Sequence, residues 1–304
     1  MNFEDMADQL AAHPDYKVKR RLVPILNFGP ASGGPTKRVL ILDTETTGLD
    51  WRSENIIELA MLAVDVDMTT GLPVGEVEVY EDFEDPGRPI PAEITKLTGI
   101  TSQDVKGQKL DEAKIKNMVE RADLIVAHNA GFDRPFVENR LEVFEHKAWA
   151  CSFQGIDWKT QGLGSAKLEF LCSELGWFYD AHRAQVDCHA LLRVLSAPLK
   201  AAENAQPLTG LQQLFKSAQN ARTIVKALGS PFETKDKLKA RNYRWSAELR
   251  CWSRVVSGET EKQQELDWLK NHVYGQRSAR VEVETTGGTV RHSNRVGQKE
   301  MITI

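Results

Sequence analysis

The chain has 304 residues, 41% hydrophobic and 27% charged, with a formal net charge of −4. Those proportions are ordinary for a soluble globular protein and leave room for one large or two modest domains. No apolar run approaches the roughly 18–20 residues that span a bilayer, and Met1–Asp5 is acidic with no apolar signal core, so neither membrane insertion nor export is expected. Cys151, Cys172, Cys188 and Cys251 form no C-x-x-C pair and suit reduced, buried thiols, which points to the cytoplasm. The charge is unevenly spread. Residues 205–304 carry 17 Lys plus Arg against 10 Asp plus Glu, while 1–204 carry 22 against 33. A basic C-terminal part attached to an acidic body could supply attraction for a polyanion.

Residues 1–35 read as an N-terminal arm: a basic run, Lys17–Arg21, then a turn-rich spacer, Phe28–Pro35. A solvated extension and a tether for nucleic acid or a partner both fit it. From Lys37 the pattern predicts strands over Val39–Thr44, Ile56–Val66 and Glu76–Phe83 with a turn at Gly71-Leu72-Pro73, an antiparallel meander. Further strands are expected at Leu124–Ala127 and near Trp149–Phe153. Helices are expected near Pro91–Leu97, Ala113–Arg121, Arg134–Phe144, Lys167–Leu175 and Asp187–Leu195. A meander followed by alternating helices and strands gives an α/β domain over 36–200 with a mixed sheet. Pro207 and Gly210 interrupt the periodicity, placing a linker at 201–210. Beyond it, 211–286 reads as a small basic α+β module: strand Thr223–Leu228, helix Lys235–Arg241, strands near Tyr243–Trp245 and Cys251–Val256, helix Thr260–Tyr274 and strand Ala279–Glu284. The segment 287–304 reads as a loose tail. Leu211–Phe215 suits an amphipathic helix or, less well, a sliding-clamp peptide without its first Gln.

Three short stretches carry chemistry. The apolar run Val39–Leu42 ends in Asp43-Thr44-Glu45-Thr46-Thr47-Gly48. Alternation along a strand points Asp43 and Glu45 to one face, where two acids repel unless a cation lies between them. Magnesium and manganese take such oxygen ligands. The second stretch is Asp123–Asp133, a short apolar strand running through His128-Asn129-Ala130-Gly131-Phe132 to Asp133 at the start of a helix, where Asp is also a favoured cap. The third is His182-Arg183-Ala184-Gln185-Val186-Asp187, opening another helix.

This ordered set resembles the three motifs of the DEDDh 3′-to-5′ exonucleases, the family of the proofreading epsilon subunit of bacterial DNA polymerase III and of ribonuclease T. The resemblance covers roughly 36–197 and includes Pro86–Glu93 and Thr98–Thr101. It implies a ribonuclease-H-like mixed five-stranded sheet flanked by helices, and removal of nucleotides with two Mg2+ or Mn2+ ions held by Asp43, Glu45, Asp133 and Asp187. The resemblance also implies that His182 is the general base; an imidazole can take a proton from metal-bound water near neutral pH. Thr46 and Leu49 would meet the terminal nucleotide, Leu49 as a wedge against its base or simply as core. Glu93 would reach the terminal sugar, although Thr98 stands where the epsilon subunit commonly has His. His128 and Asn129 match the family's H-N-A-x-F-D run; His128 either contacts substrate or hydrogen-bonds the turn that positions Asp133.

The expected activity is 3′-to-5′ hydrolysis of single-stranded DNA, with RNA ends also in view and a replication or repair protein as a candidate partner. An RNA-trimming exoribonuclease is the alternative enzyme, and a nucleic-acid-binding or scaffold protein with a vestigial site is the alternative of another class. In the module, Lys235, Lys237, Lys239, Arg241, Tyr243, Arg244, Trp245, Arg250, Trp252 and Arg254 suit strand holding. A structural or partner-docking role suits them better, since Trp and Tyr in a small domain are more often its core and helix-borne lysines usually face water.

Overall fold

A computed structural model describes residues 2–200 and 207–304 and divides the chain into two units, Met1–Ser217 and Ala218–Ile304. In the first unit, helix α1 (Phe3–Ala11) is closed by a capping box between Asn2 and Asp5, and a short strand β1 (Arg20–Arg21) follows. Strands β2 (Thr36–Thr46), β3 (Ile56–Asp67) and β4 (Pro73–Phe83) form the expected antiparallel meander. Next come α2 (Ala92–Thr98), α3 (Ser102–Val105), α4 (Glu112–Arg121) and strand β5 (Leu124–Ala127). They lead into α5 (Ala130–Arg140), β6 (Trp149–Cys151), α6 (Ser152–Gly155), α7 (Leu168–Glu174), β7 (Trp177–Phe178) and α8 (Ala184–Ser196).

The main sheet runs β4-β3-β2-β5-β6, with β5 and β6 parallel to β2. It is the mixed five-stranded sheet anticipated from the chain. Val39, Leu40, Ile41 and Leu42 have no exposed surface because both faces of β2 are covered. Leu40 and Leu42 pack with Ile115, Met118 and Val119 of α4 and Phe136 and Val137 of α5. On the other face α8 lies across β2 and β3, where the Cys188 thiol meets the carbonyls of Ile41 and Ala60. By alternation, Asp43 and Glu45 continue the Val39–Ile41 face toward α8, and Thr44 continues the Leu40–Leu42 face toward α5.

Several expectations need revision. The arm is tied to its unit by backbone bonds and ion pairs, although most of its side chains stay exposed and only Leu22 is buried. β1 pairs in parallel with β7, Val77 N donates to Leu26 O and Phe28 N to Gly75 O, each at 2.9 Å, and Ser32 bonds the Asp67 carboxylate. Two of its basic residues are spent internally, Arg20 on Glu4 and Asp8 and Arg21 on Asp180. The helix predicted over Arg134–Phe144 starts at Ala130, because Asn129 takes a left-handed φ of 75° and turns the chain early. Asp133 therefore sits inside the first turn rather than at the cap. The helix expected from Asp187 begins at Ala184, and Ser152 starts a helix instead of prolonging a strand.

The expected linker lies partly outside the described residues (201–206), and the division falls later than 201–210. Helix α9 (Gly210–Gln219) buries Leu211, Leu214 and Phe215. Just before it, Thr209 donates through Oγ1 to Gly71 O at 2.8 Å, and Gln212 within it donates through Nε2 to Met68 O at 3.2 Å. The amphipathic reading of Leu211–Phe215 thus describes this segment.

In the second unit, β8 (Arg222–Ala227), α10 (Lys235–Ala240), β9 (Arg244–Ser246), β10 (Cys251–Val256), α11 (Gly258–His272), β11 (Arg280–Thr286) and β12 (Gln298–Thr303) form an antiparallel sheet ordered β12-β11-β8-β10-β9 with two helices. The supposed loose tail supplies β12, which pairs with β11 from Arg280↔Thr303 to Thr285↔Gln298. Ile302 and Ile304 pack against the core, which explains why it orders. Among the described residues no helix is long and apolar enough to cross a membrane, and all four cysteines are free and buried.

Candidate active site

The acid pair sits where β2 leaves the sheet. Its pairing with β3 is regular up to Glu45↔Glu58 and then shifts between Glu45 and Thr46, a bulge of the kind that re-aims side chains at strand ends. The turn that follows is tied down by neighbours: Thr47 donates to Glu54 at 2.6 Å, and Arg88 bridges Thr47 and Glu54. A Cβ at Gly48 would lie 2.9 Å from the Glu54 side chain and push it off its place beside Thr47 and Arg88.

Asp187 arrives from α8 on the same face. Carboxylate oxygens of Asp43, Glu45 and Asp187 all lie within 4.8 Å of one another. Asp187 is oriented on both oxygens: Tyr179 donates its hydroxyl to Oδ1 at 3.0 Å, and the backbone N–H groups of His182 and Arg183 donate to Oδ2 at 2.9 and 3.2 Å. Asp133 comes from α5 on the other face and joins through Thr44, whose hydroxyl donates to its Oδ1 at 2.8 Å. His182, exposed at the cleft, has a φ of 68°, a left-handed conformation that costs a non-glycine residue about 1–2 kcal/mol.

All four acids and His182 line one cleft of about 240 Å³. Leu49, Ile94, Leu97 and Phe132 give the cleft an apolar part to its lining. The acids are held away from their ordinary ionisation. Burial first, then repulsion from Asp133, Asp187, Glu45 and Glu58, pushes Asp43 well up. Burial and the Asp187 charge push Glu45 up to about 8, burial pushes Asp133 to about 7, and burial raises Asp187 despite its donors. Crowded carboxylates of this kind become fully ionised once a cation joins them. Hard oxygen donors without nitrogen or sulfur suit Mg2+ or Mn2+. Asp43, Glu45 and Asp187 could hold an ion, and Asp133 lines the same cleft.

The remaining sequence-derived candidates divide. Leu49 is 85% exposed at the rim, so it is not core. Thr46 lines the cleft and donates its hydroxyl to Gly48 O at 2.6 Å. His128 also lines it, but its Nδ1 is 2.8 Å from the Ser152 hydroxyl, and burial lowers its pKa to about 4. It is a neutral ring tied to the strand ends. Asn129 is exposed at the start of α5, and its carbonyl accepts from Phe132 N at 2.7 Å. Glu93 is exposed in the first turn of α2, while Ile94, Leu97 and Thr98 of that helix line the cleft. Thr98 was noted in the sequence, whereas Ile94, Leu97, Phe132, Tyr179, Glu58 and Arg183 were given no role there. One signal was available: Glu58 is a single acid inside the apolar run Ile56–Val64.

A family model described as an exonuclease, of the RNase_T type, matches residues 40–195. Curated relatives include the DNA polymerase III PolC-type of Streptococcus thermophilus, 32% identical over 190 residues, covering 58% of this chain and 12% of that protein. The PolC-type enzyme of Listeria monocytogenes is 39% identical over 104 residues, 34% of this chain and 7% of that one. The chain thus spans a small fraction of the length of these relatives. Among solved structures it is similar to exonuclease X in complex with 5′-overhanging duplex DNA, with 24% identity, 52% and 89% coverage and a TM-score of 0.41. It is also similar to an exonuclease I structure said to suggest how processivity is achieved, with 16% identity, 77% and 71% coverage and a TM-score of 0.49.

Proposed function

The chain belongs to the exonuclease family that residues 40–195 match, and from that membership we propose that it hydrolyses phosphodiester bonds one nucleotide at a time from 3′ ends of single-stranded DNA. The observation that carries the reading is the gathering of the Asp43, Glu45 and Asp187 carboxylates within 4.8 Å beside an exposed His182 in one cleft. Asp43, Glu45, Asp133 and Asp187 would hold two Mg2+ or Mn2+ ions, which when bound supply an acidified water and charge stabilisation of the phosphate. His182 takes the proton of the attacking water. A new P–O bond forms as the P–O3′ bond of the penultimate sugar breaks. That O3′ leaves with a proton, and a nucleoside 5′-monophosphate is released.

Leu49, Ile94, Leu97 and Phe132 offer the terminal base an apolar wall. Thr46, His128 and Asn129 surround the sugar-phosphate end, and Glu93 of α2 reaches it if that helix closes on the substrate. The PolC-type relatives support DNA as the polymer and a replication protein as partner. Four buried free thiols suit a reducing cytoplasm. Incubating 5′-labelled DNA and RNA oligomers with magnesium, beside Asp43→Ala and His182→Ala, tests the proposal. A ladder shortening from the 3′ end in wild type alone is expected. Faster trimming of RNA makes the enzyme an exoribonuclease, and strand binding with no cleavage rejects the hydrolase reading.

A further inference from the structure

Glu58 lies between Ile57 and Leu59 in β3, and all three have no exposed surface. Its strand register sets it opposite Glu45, where like charges destabilise a strand pair, and an unpartnered carboxylate is expensive to bury. Its partners come from the segment that carries His182. Arg183 donates through Nη2 to Oε1 at 2.8 Å and through Nε to the same oxygen at 3.1 Å, while the first amide of α8, Ala184 N, donates to Oε2 at 3.0 Å. The Arg183 guanidinium also lies 3.5 Å from Glu81 and 5.6 Å from the Phe83 ring centroid. Arg183 itself gives α8 no side-chain cap. Glu58 therefore supplies the anion that the helix N-terminus favours. Asp187 binds the amides of His182 and Arg183, Glu58 binds the next amide and the Arg183 side chain, and the left-handed His182 is stretched between the two anchors.

We infer that Glu58 is a positioning residue for the proposed hydrolysis, its bonds to Arg183 and Ala184 holding the His182–Asp187 segment against Asp43 and Glu45 and so fixing where the His182 imidazole stands. The inference rests on the nuclease reading of the cleft. Its test compares wild type, Glu58→Gln, Arg183→Gln, Arg183→Lys and the Glu58→Gln/Arg183→Gln double variant. The measurements are kinetics on 5′-labelled single-stranded DNA with magnesium, cooperative melting, and hydrogen–deuterium exchange of peptide 179–187. Each Gln variant should stay folded at the assay temperature, lose at least about tenfold in kcat, keep KM within about threefold and exchange faster in 179–187. The double variant should lose no more than either single one, and Arg183→Lys should recover part of kcat. Unchanged kcat in folded Glu58→Gln, losses that multiply in the double variant, or a rise in KM alone overturns the inference. Should Glu58→Gln not fold, the Arg183 variants, altered at a part-exposed side chain, decide by the same criteria. A wild type that cleaves no 3′ end defeats the nuclease reading instead, and exchange in 179–187 still decides whether Glu58 holds the segment.

Discussion

The acid-lined cleft of the first unit and the second unit treat charge in opposite ways. In the second, every fully or nearly buried ionic group is matched. Glu265 accepts from Arg241 at 3.1 Å and Arg254 at 2.6 Å, and Lys226 sits between Glu282 at 2.7 Å and Glu284 at 2.5 Å. In the first, Asp43, Glu45, Asp133 and Asp187 crowd into one cleft, and among the described residues none forms an ion pair with Lys or Arg. Matched buried charge is a structural element, whereas unmatched buried charge persists only where something else supplies the counter-charge. The same contrast narrows the basic module. Arg241 and Arg254 are committed to Glu265, Tyr243 is buried and stacks on Trp268, and Trp252 packs against the core. Trp245, 51% exposed, remains at the surface with Lys237, Lys239, Arg244 and Arg250.

The sharpest way to break this comparison is to neutralise one acid in each unit. Asp43→Asn should lower turnover roughly a thousandfold, about 4 kcal/mol of barrier, while metal-free protein melts no lower than wild type because a repelling charge has gone. Glu265→Gln should do the reverse, losing about 2–3 kcal/mol in urea denaturation by stranding two arginines and leaving the rate per folded molecule unchanged. Equal destabilisation by both changes would erase the distinction. A second effect of similar size is linkage. Manganese at about 100 times its Kd should stabilise wild type by about 2.7 kcal/mol. That stabilisation should disappear in Asp43→Asn and survive in Glu265→Gln, as read by melting with and without the ion.

Smaller effects sharpen the picture. Leu49→Ala should leave stability within about 0.5 kcal/mol, as expected for an exposed side chain, yet raise KM for single-stranded DNA several-fold; an unchanged KM would remove Leu49 from the substrate wall. Asp67 shows that the first unit can also satisfy a buried acid. Bonds from the Ser32 hydroxyl and amide, with the amides of Thr69 and Thr70, lower its pKa to about 2. Its folded value is below its ordinary one, so its contribution is complete above about pH 4 and is lost as pH falls toward 2. Asp67→Asn should flatten that part of the acid-denaturation curve, and an unaltered curve would show that the arm contact contributes nothing.

Much of the first unit was legible because strong local patterns agreed with the tertiary environment. Ile56–Val66 reads as a strand of the meander and is β3, and the alternation of Asp43 and Glu45 set both acids on one side of β2. Less legible were features whose causes lie far away in the chain. The helix carrying Asp133 starts early because of the left-handed turn at Asn129. The segment 298–303 has little strand signal until β11 offers it an edge. The N-terminal arm lies against β4 and β7 through backbone bonds that residue type does not announce.

By itself, the sequence determined the two compositions and the central strands, because strand alternation and local hydrophobicity act over a few residues, while the four acids and His182 were picked out by three ordered motifs and the family they resemble. Only the tertiary structure decided that Asp187 meets Asp43 and Glu45 across α8, that Asp133 reaches the site through Thr44 from the opposite face, and that Glu58 anchors the loop of His182. Those contacts join residues at least 89 positions apart, and a chain specifies such neighbours through packing of whole elements rather than through any pattern in its own neighbourhood.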